Sequence, residues 1–181
     1  MGQWRMQAVP GIRQVLRGQL HFSKEERNRL LVPLTGSGSD SQLLKYVTRI
    51  AHRKNSDITL MYVVEVDQEL PLGAELPSEV KQGEKVLNDA RDLLKKALDS
   101  RSSFVSTDLL QARFAGAAIV DEAVQDGVDA IVMGATVKKR LGVRTIGETV
   151  EYVMQNAPCE VVILRGAMSD SLLRELEMEI E

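Results

Sequence analysis

The chain has 181 residues, 44% hydrophobic and 27% charged, with a net charge of -3, the make-up of one soluble globular domain with length to spare for tails. That balance gives no global pull toward nucleic acid, and one cysteine (Cys159) with two histidines (His21, His52) excludes an intramolecular disulfide and argues against a His/Cys zinc cluster. No apolar run approaches the roughly 18 to 20 residues of a membrane-spanning helix, and the N-terminus lacks the layout of a secretory signal, so a cytoplasmic location is expected.

The charges are uneven along the chain. Residues 1–29 hold six cations (Arg5, Arg13, Arg17, Lys24, Arg27, Arg29) against Glu25 and Glu26, a net +4. Ile12, Val15, Leu16 and Leu20 share one helical face there, with Trp4 upstream. Such a basic amphipathic arm docks on its own domain or a partner subunit, or lies on an anionic membrane surface.

Residues 30–34 (Leu-Leu-Val-Pro-Leu) are a buried-type strand followed by the turn Thr35-Gly36-Ser37-Gly38. Ser39 and Gln42 have capping-box spacing for a helix that carries Leu43, Leu44, Val47, Ile50 and Ala51 on one face. A second strand is expected at 58–64, a loop at 71–77 and a long helix at 78–98, where Val80, Leu87, Ala90, Leu94 and Ala97 recur at helical spacing. A third strand fits 104–110. A helix then runs through Ile119, Val120, Ala123 and Val124 to a stop at Gly127.

The fourth strand, 130–133, delivers Gly134 to a loop rich in cations (Lys138, Lys139, Arg140, Arg144), which ends at Gly147-Glu148-Thr149. There a helix opens and runs to about Asn156. The last strand is Val161-Val162-Ile163-Leu164, and an acidic tail follows, where Ser169 or Asp170 can cap a helix with Leu172, Leu173, Leu176 and Ile180 on one side. Three segments are therefore expected: an arm at 1–28, an α/β domain at 29–166 and a C-terminal helix or tail at 167–181.

Continuous apolar strands that alternate with helices call for a parallel sheet covered on both faces, a three-layer α/β/α sandwich of the Rossmann-like kind. Strand, glycine loop and helix N-terminus can together form an anion site, because first-turn N–H groups have no intrahelical partner.

The spacing around Gly134 resembles the nucleotide-binding motif of the universal stress protein family: Gly, two residues, Gly, nine residues, then Gly followed by Ser or Thr. Gly134 and Gly147 fall in register, Val137 stands at the middle glycine and Glu148 at the hydroxyl position. The resemblance covers about residues 29–165 and implies the strand order 3-2-1-4-5. In sheets of that order the ligand crevice lies between the ends of strands one and four, where the order reverses.

The resemblance also implies site residues. The family places Val-Pro-Val-Asp-Gly-Ser after strand one, with the aspartate beside adenine; this chain reads Val32-Pro33-Leu34-Thr35-Gly36-Ser37. A hydroxyl at Thr35 still donates and accepts a hydrogen bond. Val63 or Val64 would lie near the base, and Met133 with Gly134 would offer backbone atoms and an apolar contact; core packing at strand ends explains the same residues. At Val137 a β-branched side chain resists positive φ, so the loop takes another path or holds its ligand farther away. Glu148 suits a helix start, but it would repel a phosphate at about 4 Å by roughly 1 to 4 kcal/mol or stand in for one. Lys138, Lys139, Arg140 and Arg144 could neutralise ATP or AMP, or form a solvated basic loop. Thr149 is a further candidate phosphate contact.

Gly36-Ser37-Gly38-Ser39-Asp40-Ser41, with Glu65 or Asp67 downstream, has some features of a dinucleotide fingerprint but lacks its third glycine. No nucleophile–base pair emerges: Cys159, after Ala157-Pro158, reads as buried structure, His52 ends the first helix and His21 sits in the arm. No catalytic residue is assigned. The expected protein is a universal-stress-like binding or regulatory protein with a degenerate ATP or AMP site. A nucleotide-independent interaction module, or a cytosolic regulatory domain of a membrane transporter joined through the basic arm, is the alternative, and a weak ATPase comes third. The strand 161–164 is expected at a sheet edge, where family resemblance implies a homodimer.

Overall fold

The computed structural model describes residues 27–98, 103–135, 137–140 and 143–165, with the backbone alone at 103, 137–140 and 143–145. The greater part of the expected basic arm and the whole acidic C-terminal helix lie outside the described residues.

Among the described residues, seven strands and four helices follow in the order β1 (Asn28–Leu34), α1 (Asp40–Arg53), β2 (Ser56–Glu65), α2 (Pro77–Ala97), β3 (Ser103–Ala112), α3 (Ala115–Asp126), β4 (Ala130–Ala135), β5 (Val137–Arg140), β6 (Val143–Ile146), α4 (Glu148–Asn156) and β7 (Glu160–Arg165). Five of the strands form a parallel sheet in the order β3-β2-β1-β4-β7. This is the expected 3-2-1-4-5 order, with β7 as the fifth strand of the sheet.

Alternation along the strands divides the core in two. Leu30, Val32 and Leu34 of β1 join Ile58, Leu60, Ala130 and Val132 beneath α1 and α2, which bury Leu43, Leu44, Val47, Leu87, Ala90 and Leu94. Leu31 faces the other way, with Met61, Ile131 and Met133, beneath Ile119 and Ala123 of α3 and Val150 and Val153 of α4. Both sheet faces are thus covered, which is why the strands read as unbroken apolar runs. Ala97 and Val124, assigned to buried helix faces by spacing, are exposed.

The helix ends follow recognisable chemistry. Pro77 begins α2, where its missing N–H costs nothing. Gly127 ends α3 at φ 56°, the left-handed conformation a glycine adopts without strain.

Two expectations need correction. Ser39 makes no side-chain cap and forms no capping box with Gln42; its hydroxyl is 2.7 Å from that of Ser37. The stretch after β4 is not an open basic loop. Residues 137–140 and 143–146 form an antiparallel ribbon with Lys138 opposite Thr145 and Lys139 opposite Arg144. Val137 enters this ribbon in the extended conformation that a β-branched residue favours.

Candidate functional site

The strand-order reversal between β1 and β4 opens a cleft of about 450 Å³ at the C-terminal ends of the strands, where ligands of open parallel sheets bind. Its floor is Pro33, Leu34 and Thr35 from β1 and the turn after it, with Met133 and Gly134 from β4. The end of β2, from Met61 to Glu65, forms one wall. Ala115 and Ile119 of α3 and Gly147, Thr149 and Val150 at the start of α4 form the opposite one, while Glu79 reaches in from α2.

Of the residues singled out by sequence, the cleft gathers Pro33, Thr35, Val63, Val64, Met133, Gly134, Gly147 and Thr149. Gly36 and Glu148 are exposed and outside its lining. Val137, Lys138 and Arg140 belong to β5, whose backbone alone is described. Tyr62, Glu65, Glu79, Ala115 and Ile119 were not assigned to this site by sequence. The order of the strands could have pointed to the end of β2, but nothing local signals the approach of α2 and α3.

Glycine chemistry at the site separates into two kinds. Gly36, at φ 76°, occupies backbone that a side chain would strain. Gly134 and Gly147 have no such need. A Cβ on Gly134 would meet only the Ser39 hydroxyl, at an ordinary 3.8 Å, and one on Gly147 would meet nothing within 4 Å. Among the described residues, neither packing nor backbone requires these two residues to be glycine.

The turn after β1 is organised by Asp40. Its carboxylate accepts the N–H of Thr35 at 3.1 Å and that of Gly36 at 2.7 Å, and the Thr35 hydroxyl donates to it at 3.2 Å. With the Thr35 proton committed to Asp40, the 2.7 Å contact to Ser37 requires Ser37 to donate to Thr35, and Ser39 in turn to Ser37. An internal anion is therefore held against the first glycine of the Gly36–Ser41 stretch, where its negative charge would oppose a phosphate. This weighs against the dinucleotide reading of residues 36–41.

Glu65 has a comparable internal role. Its Oε1 accepts the N–H of Ala115 at 2.8 Å and caps α3, whose own N-cap residue, Phe114, supplies no side-chain hydrogen bond. The loop after β2 is fastened by Arg113, whose guanidinium donates to the carbonyls of Val66, Asp67 and Leu70. At α4 the Gly147 carbonyl accepts from Val150 at 2.9 Å and Glu151 at 3.2 Å. The N–H groups of Glu148 and Thr149 come before the first intrahelical bond and carry the positive end of the helix dipole.

Cys159 is half-buried rather than buried, and burial raises its thiol pKa above the ordinary value of 9.0. A protonated thiol is a weak nucleophile. Among the described residues no group of three or more His, Cys, Asp or Glu side chains could hold a metal ion, and no helix is long and apolar enough to cross a membrane.

A doubly wound parallel sheet whose cleft lies at its order reversal, bounded by a helix N-terminus, defines an α/β protein of the Rossmann-like class. The sequence profile of the universal stress protein family matches residues 26–165, and the chain belongs to that family. A universal stress protein of Methanocaldococcus jannaschii is 29% identical over 141 residues, which cover 76% of this chain and 81% of that protein. Among solved structures, the UspA protein of Lactobacillus plantarum superposes with a TM-score of 0.62 at 23% identity, over 76% of this chain and 97% of that one. The Archaeoglobus fulgidus universal stress protein, solved in complex with dAMP, superposes with a TM-score of 0.58 at 16% identity, over 77% and 98%.

Proposed function

We propose that the chain is a cytoplasmic binding and regulatory protein that takes an adenine nucleotide, AMP or ATP, in the cleft between the ends of β1 and β4. The observation that carries this reading is the pair of bare glycines, Gly134 and Gly147, on two sides of one cleft. Since no described part of the fold needs either glycine, close approach of a ligand to the backbone is the reading that accounts for both missing side chains. The dAMP held by the Archaeoglobus relative indicates the ligand class. In this reading Val63, Met133 and Pro33 flank the base, and the Thr35 side chain stands beside it. The amides of Glu148 and Thr149, with the Thr149 hydroxyl, receive a phosphate at the positive end of α4. The site is degenerate in that a hydroxyl replaces a carboxylate at Thr35, and Val137 and Glu148 replace the family's glycine and hydroxyl. Binding rather than turnover is assigned to it, and the same proposal includes a homodimer through β7.

Calorimetry with millimolar AMP and ATP tests the assignment, together with mass spectrometry of any small molecule released on denaturation. Heat that disappears in Gly147→Ala, with the fold retained, is the expected result. Gly147→Ala that binds as tightly as the parent would remove the observation on which the site rests.

A second reading, a nucleotide-independent interaction module or transporter regulatory domain, is favoured by one feature: the charged side chains lining the cleft among the described residues, Glu65 and Glu79, are both acidic. No heat from the parent protein but heat from the Val137→Gly, Glu148→Ser double variant would select it. Absence of heat from both would mean that the cleft itself is not a nucleotide site.

A further inference from the structure

The outer strand of the sheet leaves an apolar groove uncovered beside α1. Leu30, Ile50, Ala130, Val132 and Val162 line it, and Arg53 and Lys54 stand at its rim beside Asn28 and Glu160. Its volume is about 250 Å³. Val162 and Leu164 of β7 pack against the core on this side but stay only partly buried, because α1 covers β1 and β4 and no described helix lies beyond it. The neighbouring surface of α1 is basic: Lys45, Arg49 and Arg53 are exposed and four residues apart, so they form one ridge along the helix.

We propose that the acidic C-terminal segment of this same chain, residues 166–181, docks as a helix in this groove, alongside α1 and over the flank of β7. Three features point to this occupant. The segment leaves from Arg165, at the same end of the parallel sheet as the start of α1, so a helix that turns back there runs parallel to α1 toward the groove. Its reach also fits: thirteen helical residues from Ser169 span about 20 Å, and the six residues of β7 span about the same length. Leu172 and Leu173 would then lie beside Leu164, with Leu176 and Ile180 in the groove itself. Finally, Glu175 and Glu179 are also four apart and have the charge that complements Arg49 and Arg53.

Charge decides against the other segment of the chain that could reach this place. The N-terminal arm enters at Arg27, near the lower end of the groove, and has an apolar face of its own. It would bring Arg13 and Arg17 against a ridge that is already cationic. A second copy of the chain could cover the same face, and the experiment separates that case by dilution.

The test is limited proteolysis with native-state hydrogen exchange on the full chain, at two protein concentrations tenfold apart and at low salt. In the parent, cleavage within 166–181 should be about ten-fold slower than in Leu172→Asp, Leu176→Asp, since cleavage follows the population of the undocked segment. Arg49→Glu with Arg53→Glu should accelerate it, as should Glu175→Arg with Glu179→Arg. The quadruple variant should return toward the parent rate, because the reversed charges again attract. Added salt should diminish the effect of either double reversal. A parent segment cut as fast as in the Leu172→Asp, Leu176→Asp variant overturns the proposal. So does protection that ignores the reversal at Arg49 and Arg53, and protection that falls on dilution assigns the groove to a second copy instead.

Discussion

At the level of single residues, the turn after β1 shows how one side chain can reassign a motif. Ser39 and Gln42 have the spacing of a capping box, yet Asp40 reaches backward to the amides of Thr35 and Gly36 and fixes the turn itself. The Ser39 hydroxyl is drawn instead into the chain of hydroxyls that runs through Ser37 and Thr35 to Asp40, and spacing alone does not tell which way such side chains will turn. Asp40→Asn should weaken these bonds and destabilise the protein by about 1 kcal/mol, less than the full value of a charged hydrogen bond because the turn is solvated; the denaturant midpoint measures it. Glu122 supplies a pH-dependent counterpart. Burial first, then the charges of Asp108 and Asp126, raise its carboxyl pKa above the ordinary 4.5. A raised carboxyl is easier to protonate folded than unfolded, so its contribution is most favourable below pH 4.5 and is lost as the pH rises through the folded value. Glu122→Gln should therefore unfold at a higher denaturant concentration than the parent at neutral pH. The difference should shrink toward pH 4.5, and a constant difference would contradict the sign.

At the level of elements, apolar runs and helical periodicity located every strand of the main sheet and all four helices, because those signals arise from burial against neighbours on both faces. The β5–β6 ribbon was not legible. Four of its eight residues are cationic, and the other four do not alternate with them in a strand period; the β-branched Val137, Val143, Thr145 and Ile146 were the signal available. Close approach of elements was equally silent. Gly83 looks like a helix-weakening residue in the middle of α2, but a Cβ there would lie 2.6 Å from the Tyr62 ring and 2.8 Å from Leu109. It is the point at which α2 settles onto β2 and β3. Gly83→Ala should gain about 1 kcal/mol of helix propensity and lose about 1 to 3 kcal/mol to overpacking, a net destabilisation visible in urea unfolding. Since Tyr62 also lines the cleft, the same variant should weaken the proposed nucleotide binding. An alanine variant more stable than the parent would show that the Tyr62 ring moves aside at little cost.

For the molecule as a whole, strand order was legible through family resemblance, and the general rule for parallel sheets then placed the cleft; assembly depends on an edge that sequence and structure both leave open. β7 pairs with β4 on one side and with no other described strand, and its four central residues, Val161, Val162, Ile163 and Leu164, are all only partly buried. An apolar edge with unpaired backbone groups draws in another chain unless something blocks it. A two-fold axis beside β7 would let each copy satisfy the other's edge. The C-terminal segment, docked against the flank of the strand, would leave those edge hydrogen-bonding groups free for such pairing. Light scattering at micromolar concentration should thus give twice the 20.1 kDa chain mass. Val162→Lys, which introduces a charge where edge strands commonly place one to prevent pairing, should shift the protein toward monomer. A parent protein that scatters as a monomer would remove the dimer, whereas a dimer indifferent to Val162→Lys would move the interface away from β7.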